Sequence, residues 1–209
     1  MLEMTINNLT KHYGKNEVFN NLNITFDSSV YNFLVGENGS GKSTLIKCIL
    51  DEINYQGTID KKDYKISYAP EKIMLPDYVT LHNFLVMLGI SKNKNIKHVN
   101  QLIDYYLKIF NIEKYKTKLI CELSKGTRQK IILIQTLMDT SDVYIFDEPL
   151  SGLDEESRKN FIIELKKLKS ESKLIIISTH YLNQFKFKYK KVFNFPYIEE
   201  DNHEFDEIT

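Results

Sequence analysis

The sequence predicts an α/β fold with a mostly parallel sheet, a small antiparallel β subdomain and an inserted α-helical subdomain. Short apolar runs alternate with amphipathic helical patterns, as they do in parallel sheets covered by helices. A glycine-rich loop also joins a buried strand to a helix, and residues 80–138 follow helical periodicity. We therefore expect one domain over residues 1–209, with the helical subdomain at about 72–138.

The individual elements follow from local patterns. Residues 2–9 and 18–26 alternate apolar and polar side chains, which predicts two half-buried strands around a turn at Gly14. Residues 31–35 form a buried strand that ends at Gly36, and residues 43–50 follow as a helix with one apolar face. Further strands are predicted at 64–68, 143–146 and 174–177, and an amphipathic helix at 155–169.

Charge and composition exclude several classes of protein. The chain has 28 basic and 28 acidic residues, so it lacks the basic excess of a general nucleic-acid binder, and we expect no nucleic-acid partner. Two cysteines indicate a reducing compartment, and no apolar run approaches the roughly 18 residues of a membrane span. With no signal sequence visible, the expected location is the cytoplasm.

The end of the chain is unevenly charged. Four lysines alternate with aromatic residues, and an acidic stretch follows, which an ordinary solvated surface and a loose terminus would explain. The residues concerned are Lys186, Lys188, Lys190 and Lys191, then Glu199, Glu200, Asp201, Glu204, Asp206 and Glu207.

The glycine loop at residues 36–43 matches a phosphate-binding pattern. Its glycines let successive backbone amides point inward, and the following helix adds its positive end, so the loop forms an anion site. Lys42 can reach the β and γ phosphates of a nucleotide, and the Ser43 hydroxyl can bind Mg²⁺. The predicted ligand is therefore ATP with Mg²⁺.

Two carboxylates follow the predicted strand at 143–146. Asp147 lies at the carboxyl end of that strand, where α/β sheets bind ligands, and could hold Mg²⁺ through water. Glu148 comes next and could take a proton from an attacking water molecule. A third segment, residues 123–127, precedes a helix, and Ser124 there is either a helix cap or part of a second anion site.

Together these motifs resemble an ATP-binding cassette (ABC) ATPase over nearly the whole chain. Residues 36–43 match its Walker A motif, residues 143–148 its Walker B motif and residues 123–127 its signature segment. Residues 151–154, Ser-Gly-Leu-Asp, match its D-loop. His180 matches the switch histidine, and Tyr13 matches the aromatic residue that stacks on adenine.

The resemblance implies a P-loop NTPase core and a full set of site residues. Glu148, His180, Lys42 and Glu71 would be catalytic, and Ser43, Asp147 and Glu71 would hold Mg²⁺. The nucleotide would be bound by Tyr13, Gly36, Glu37, Asn38, Gly39, Ser40, Gly41, Lys42, Ser43, Thr44, Ser124, Gly126 and Asp154. Two positions depart from the family pattern: Lys125 replaces a signature glycine, and Glu71 stands where the family has a glutamine.

The resemblance also implies partners. Two cassettes would pair head to tail, identical or not, so that Ser124 and Gly126 of one contact the γ phosphate held by Lys42 of the other. A separate membrane permease would contact residues 73–81, unless that segment only packs within the cassette, and would place the chain on the inner face of the cell membrane. We expect an exporter subunit, with a non-transport ABC ATPase of translation, repair or regulation as the alternative.

Overall fold

A small antiparallel sheet is built from the first strands of the chain. The computed structural model describes residues 1–72, 74–92 and 95–197. Strands β1 (Glu3–Tyr13) and β2 (Asn16–Asp27) pair antiparallel, as predicted, and β4 (Gln56–Asp60) joins the other edge of β1. Strand β4 has no alternating apolar pattern in its sequence, and Ile59 is its only half-buried residue. It forms a strand because it pairs with β1.

In the described residues, the larger sheet has the order β5 (Ile66–Ala69), β6 (Val143–Asp147), β7 (Leu174–Thr179), β3 (Tyr31–Gly36) and β8 (Lys190–Phe195). Strand β3 (Tyr31–Gly36) runs parallel to β7 (Leu174–Thr179), and β7 runs parallel to β6 (Val143–Asp147). Strand β5 (Ile66–Ala69) lies at one edge and begins later than the predicted 64–68. Every residue of β6 and β7 is buried, which is why both appear in the sequence as continuous apolar runs.

The last strand corrects the interpretation of the basic stretch. Strand β8 (Lys190–Phe195) pairs parallel with β3, and its first residue, Lys190, is buried, so this part of the stretch is not a solvated surface. In the residues before β8, Phe185 and Phe187 are buried, whereas Lys186 and Lys188, which follow them in the chain, are exposed. The acidic stretch from Glu199 onward lies outside the described residues.

The chain divides into two compact units. The first unit comprises Met1–Tyr68, Ser141–Glu148 and Lys167–Thr209, and the second comprises Ala69–Thr140 and Pro149–Lys166. The first unit has a core between its strands and helix α1 (Lys42–Ile49), formed by residues such as Phe26, Leu34 and Ile46.

Helices dominate the second unit. They are α2 (Leu81–Ser91), α3 (Ile96–Ile109) and α4 (Lys125–Leu137), which confirms the helical pattern predicted for residues 80–138. Helix α5 (Glu155–Ser170) starts in this unit, which also contains 3-10 turns at Glu113–Tyr115 and Ile120–Glu122; the 3-10 turn Leu182–Gln184 belongs to the first unit. The overall α/β class with a parallel and a small antiparallel sheet is therefore as predicted, while the single-domain boundaries remain a prediction.

Asn32 provides a test of how β3 is held in place. It is completely buried, and its Nδ2 donates to the backbone oxygens of Asp27 (2.9 Å) and Ile175 (3.1 Å). Because Asn32→Ala leaves these buried acceptors without that donor, we expect it to lower the free energy of unfolding by about 1–3 kcal/mol in urea titrations. The control Asn20→Ala, at an exposed position of β2, should change it by less than about 0.5 kcal/mol, and equal losses in both variants would contradict this role.

Candidate functional site

The glycine loop connects the end of β3 to the start of α1. Gly41 is the N-cap of α1 at φ +109°, and a Cβ there would lie 3.0 Å from a ring carbon of Phe19. At Gly36, a Cβ would lie 2.3 Å from the backbone oxygen of Phe195. The loop therefore needs glycine at both ends: Gly41 because of its backbone conformation, and Gly36 because β8 approaches it closely.

Lys42 carries the positive charge of this loop. Its side chain is largely buried, and its Nζ donates to the backbone oxygens of Gly36 (2.6 Å) and Glu37 (2.9 Å). The ammonium is thus held against the loop beside the N-terminal end of α1, where backbone amides and the helix dipole favour an anion. Glu37, Asn38 and Gly39 are exposed around it, and the residue after Ser43, Thr44, is partly buried in the first turn.

Ser43 and Asp147 come together although 104 positions separate them in the chain. The Ser43 hydroxyl donates to Asp147 Oδ2 at 2.9 Å, and Asp147 is the last residue of the buried strand β6. The other carboxylate oxygen accepts from the hydroxyl of Ser178. Ser178 was not among the predicted site residues, but it pairs with Asp147 in the β6–β7 register, and it directly follows the predicted strand 174–177.

These groups fit a magnesium ion bound together with a phosphate. Mg²⁺ prefers oxygen ligands and usually takes only one or two from protein side chains, with water and substrate phosphates supplying the rest. The neighbouring oxygens of Ser43 and Asp147 are such a pair. In the residues that the structure describes, no group of three His, Cys, Asp or Glu side chains could hold a metal ion alone, so phosphate oxygens would be needed here.

Glu148 adopts a backbone conformation that is unusual for its residue type. Its φ is +49°, and its backbone N–H donates to the backbone oxygen of Ser178 at 3.2 Å. A non-glycine residue in this region costs about 1–3 kcal/mol, and such strain is typical of functional sites. The conformation directs a buried carboxylate toward His180, whose Nδ1 lies 2.8 Å from Glu148 Oε1.

Burial also changes the acidity of Glu148. Desolvation raises the pKa of this carboxyl, while the nearby His180 and Lys42 act in the opposite direction. A carboxylate with a raised pKa is suited to accept a proton from water. Lys42, Glu148 and His180 all belong to the first unit.

Tyr13 lies at the end of β1, and its side chain is half exposed. The Nζ of Lys11 lies 4.9 Å from its ring centroid, a cation–π distance. This exposed ring is available for stacking on a base, but its role stays a prediction.

The other predicted site residues belong to the second unit. Ser124 is the N-cap of α4, because its Oγ accepts a hydrogen bond from the Thr127 N–H at 3.2 Å. Of the two alternatives for Ser124, the structure therefore contains the helix cap, and the second anion site stays a prediction. Gly126 lies against Gly152, and Asp154 is paired with Lys130. Glu71 is partly exposed, with its carboxylate 3.6 Å from Lys72 Nζ, and its assigned roles also remain predictions.

The segment predicted to contact a membrane subunit is only partly exposed. Met74 is 99% exposed, whereas Leu75 is buried and Val79 is partly buried; Ile73 lies outside the described residues. None of the helices in the described ranges has both the length and the apolar character needed to cross a membrane.

Comparison with known proteins identifies the family. The family model described as "ABC transporter" matches residues 19–151. An ABC transporter ATP-binding protein of Mycoplasma pneumoniae is 31% identical over 192 residues, which cover 85% of this chain and 59% of that protein. A zinc import ATP-binding protein of Rickettsia conorii is 36% identical over 160 residues, covering 74% of this chain and 65% of that protein. The chain thus spans about two thirds or less of the length of each of these two relatives.

Solved structures share the fold. One described as the ATP-binding subunit of an ABC transporter has a TM-score of 0.82 at 23% identity, over 90% of this chain and 85% of that one. A dimeric bacterial ABC transporter cassette has a TM-score of 0.79 at 21% identity, over 91% and 94% of the two chains. Because the family model matches more than half of the chain and relatives above 30% identity align with most of it, this chain belongs to the ABC transporter ATP-binding family.

Proposed function

We propose that this chain is the ATP-binding and ATP-hydrolysing subunit of an ABC transporter. The observation that carries the proposal is the cluster formed in the first unit by Lys42, Ser43, Asp147, Glu148 and His180. These residues lie at or just after the carboxyl ends of parallel strands, or begin the helix after one, which is where open α/β sheets bind ligands.

The loop at residues 36–43 binds the triphosphate. Its backbone amides and the N-terminal end of α1 provide donors, and Lys42 exchanges its bonds to the Gly36 and Glu37 oxygens for bonds to phosphate oxygens. Mg²⁺, when bound, neutralises phosphate charge, and Ser43 and Asp147 are the residues that would hold it. The Ser178 hydroxyl fixes the orientation of the Asp147 carboxylate.

Glu148 is the proposed general base. It accepts a proton from the water whose oxygen bonds to the γ phosphorus, while the bond from that phosphorus to the oxygen of the departing ADP breaks. His180, whose Nδ1 lies 2.8 Å from Glu148 Oε1, is proposed to orient the carboxylate and to contact the γ phosphate. Most of the rate acceleration comes from this positioning and from charge neutralisation.

A second cassette completes the site. The proposed pairing brings Ser124 and Gly126 of one subunit to the phosphates held by Lys42 of the other. It is supported by the N-terminal end of α4, which belongs to a different unit from the glycine loop, and by the dimeric cassettes that share this fold. Hydrolysis should therefore depend on dimerisation.

The cargo and direction are proposed from the relatives. Their names include zinc import, zinc uptake and manganese transport ATP-binding proteins, and these names give no support to the export direction expected from the sequence. We therefore propose import of a divalent transition metal through a separate membrane subunit, with the cassette on its cytoplasmic side. The exposed Met74 and Tyr78 are the proposed contact residues.

Replacing Lys42 tests nucleotide binding. Lys42→Ala removes the loop cation, so we expect ATP affinity to fall at least about 30-fold, the equivalent of about 2 kcal/mol, in calorimetric titration. Lys47→Ala, an exposed lysine of the same helix, is the control and should bind ATP like the wild type. Unchanged affinity in Lys42→Ala would count against the whole assignment.

Replacing Glu148 tests catalysis separately from binding. Glu148→Gln keeps the shape of the side chain but cannot accept the proton, so phosphate release should fall at least about 100-fold. The variant should still bind ATP and accumulate as an ATP-bound dimer in light-scattering measurements. Glu156→Gln, at an exposed position of α5, is the control, and wild-type phosphate release by Glu148→Gln would refute its role as base.

The transport direction can be measured after co-purification with the membrane subunit. In liposomes with ATP only in the lumen, an importer whose cassettes face the lumen should accumulate external Zn²⁺ or Mn²⁺ inside. An exporter would instead load the lumen when ATP is outside, and that result would overturn the import proposal. Glu148→Gln in the same liposomes is the control for hydrolysis-driven movement.

A further inference from the structure

A buried lysine connects three helices of the second unit. Lys130 lies on α4 with only 9% of its side chain exposed, and its Nζ lies 2.6 Å from Asp154 Oδ2. The same ammonium donates to the backbone oxygen of Phe110 at 3.0 Å. Phe110 is the C-cap of α3, and Asp154 immediately precedes α5.

The charges at this junction complement one another. The C-terminal end of α3 is negative, so it favours the ammonium of Lys130, and the N-terminal end of α5 is positive, so it favours the carboxylate of Asp154. The second oxygen of Asp154 accepts from the Ser157 N–H at 2.8 Å. Hydrogen bonding to Lys130 holds the pKa of Asp154 well below its usual range. Both carboxylate oxygens of Asp154 thus have partners within the second unit, although the family resemblance implies that Asp154 binds the nucleotide.

A second contact joins the same two segments. Gly126, in the signature segment, lies so close to the D-loop that a Cβ on it would be 2.7 Å from the backbone oxygen of Gly152. Gly152 has a φ of +72°, which glycine adopts without strain. The two segments therefore meet backbone to backbone, and no side chain fits between them.

We propose that Lys130 is a positioning residue that fastens the D-loop to the signature helix, so that the two segments move as one rigid element. This inference rests on the proposed function, since it concerns how the signature acts on a nucleotide. If the signature segment docks on the ATP of a second cassette, the D-loop is carried with it. ATP binding by the first unit does not require this tether, whereas hydrolysis in the dimer does.

The first test separates binding from turnover. Lys130→Met keeps most of the buried side chain but removes the charge, so we expect kcat to fall about tenfold while the KM for ATP stays within about twofold. Lys130→Arg retains a cation and should keep kcat within about threefold of the wild type. Lys166→Met, at an exposed position of α5, is the control and should behave as the wild type.

Hydrogen exchange tests the tether without using hydrolysis. In Lys130→Met, the amides of residues 151–154 should exchange faster while those in the middle of α4 keep their protection. Faster exchange throughout α3, α4 and α5, with a lower urea midpoint, would show a merely structural role and overturn the inference. A wild-type kcat in Lys130→Met would also overturn the inference. A kcat that falls only in proportion to the folded fraction of the protein would overturn it as well. A wild-type chain without ATPase activity would refute the proposed function instead, and the exchange result would still decide the tether.

Discussion

The parallel register of β3, β7 and β6 is the constraint on which the site depends. Val35 pairs with Thr179, and Ser178 pairs with Asp147, so three strands from distant parts of the chain end at one edge of the sheet. The glycine loop begins directly after one of these strands, and Asp147 ends another. This is why Ser43 and Asp147 can share a hydrogen bond of 2.9 Å. Because β6 and β7 are buried along their whole length, the register cannot slip without exposing apolar side chains or burying polar ones.

Buried charged groups lie close together at the carboxyl ends of these strands, and the fold must stabilise them. The buried ammonium of Lys42 is stabilised by backbone oxygens of its own loop, and the buried Asp147 by the hydroxyls of Ser43 and Ser178. Glu148 has fewer such partners: its buried Oε1 lies 2.8 Å from His180 Nδ1 without a hydrogen bond of good geometry, and its backbone is strained. The groups proposed to bind phosphate or metal are thus well satisfied by the protein, while the proposed base is buried with a strained backbone, at a cost to stability.

The sequence predicted what local pattern and motif spacing encode. The strand, loop and helix around residues 36–43 were predicted correctly because apolar periodicity and glycine spacing are local signals. Strand β4 and the role of Ser178 were missed because they arise from pairing with distant strands. Strand β8 was missed because its first two residues, Lys190 and Lys191, belong to the basic stretch, although Lys190, Phe193 and Phe195 are buried. Lys130 was not singled out because nothing in its own segment indicates that Asp154, 24 positions away, is its partner.

The division of the chain into two units separates two tasks. The groups proposed to hold phosphate and accept the proton belong to the first unit, and the signature segment, D-loop and Lys130 belong to the second. In the proposed dimer, the N-terminal end of α4 and the D-loop respond to nucleotide together only if the second unit is rigid where they meet. The Gly126–Gly152 contact and the Lys130–Asp154 pair give it this rigidity at the place where the signature and D-loop meet. In the proposed dimer, nucleotide bound at residues 36–43 of one cassette would therefore move the signature segment and the D-loop of the other cassette as one element.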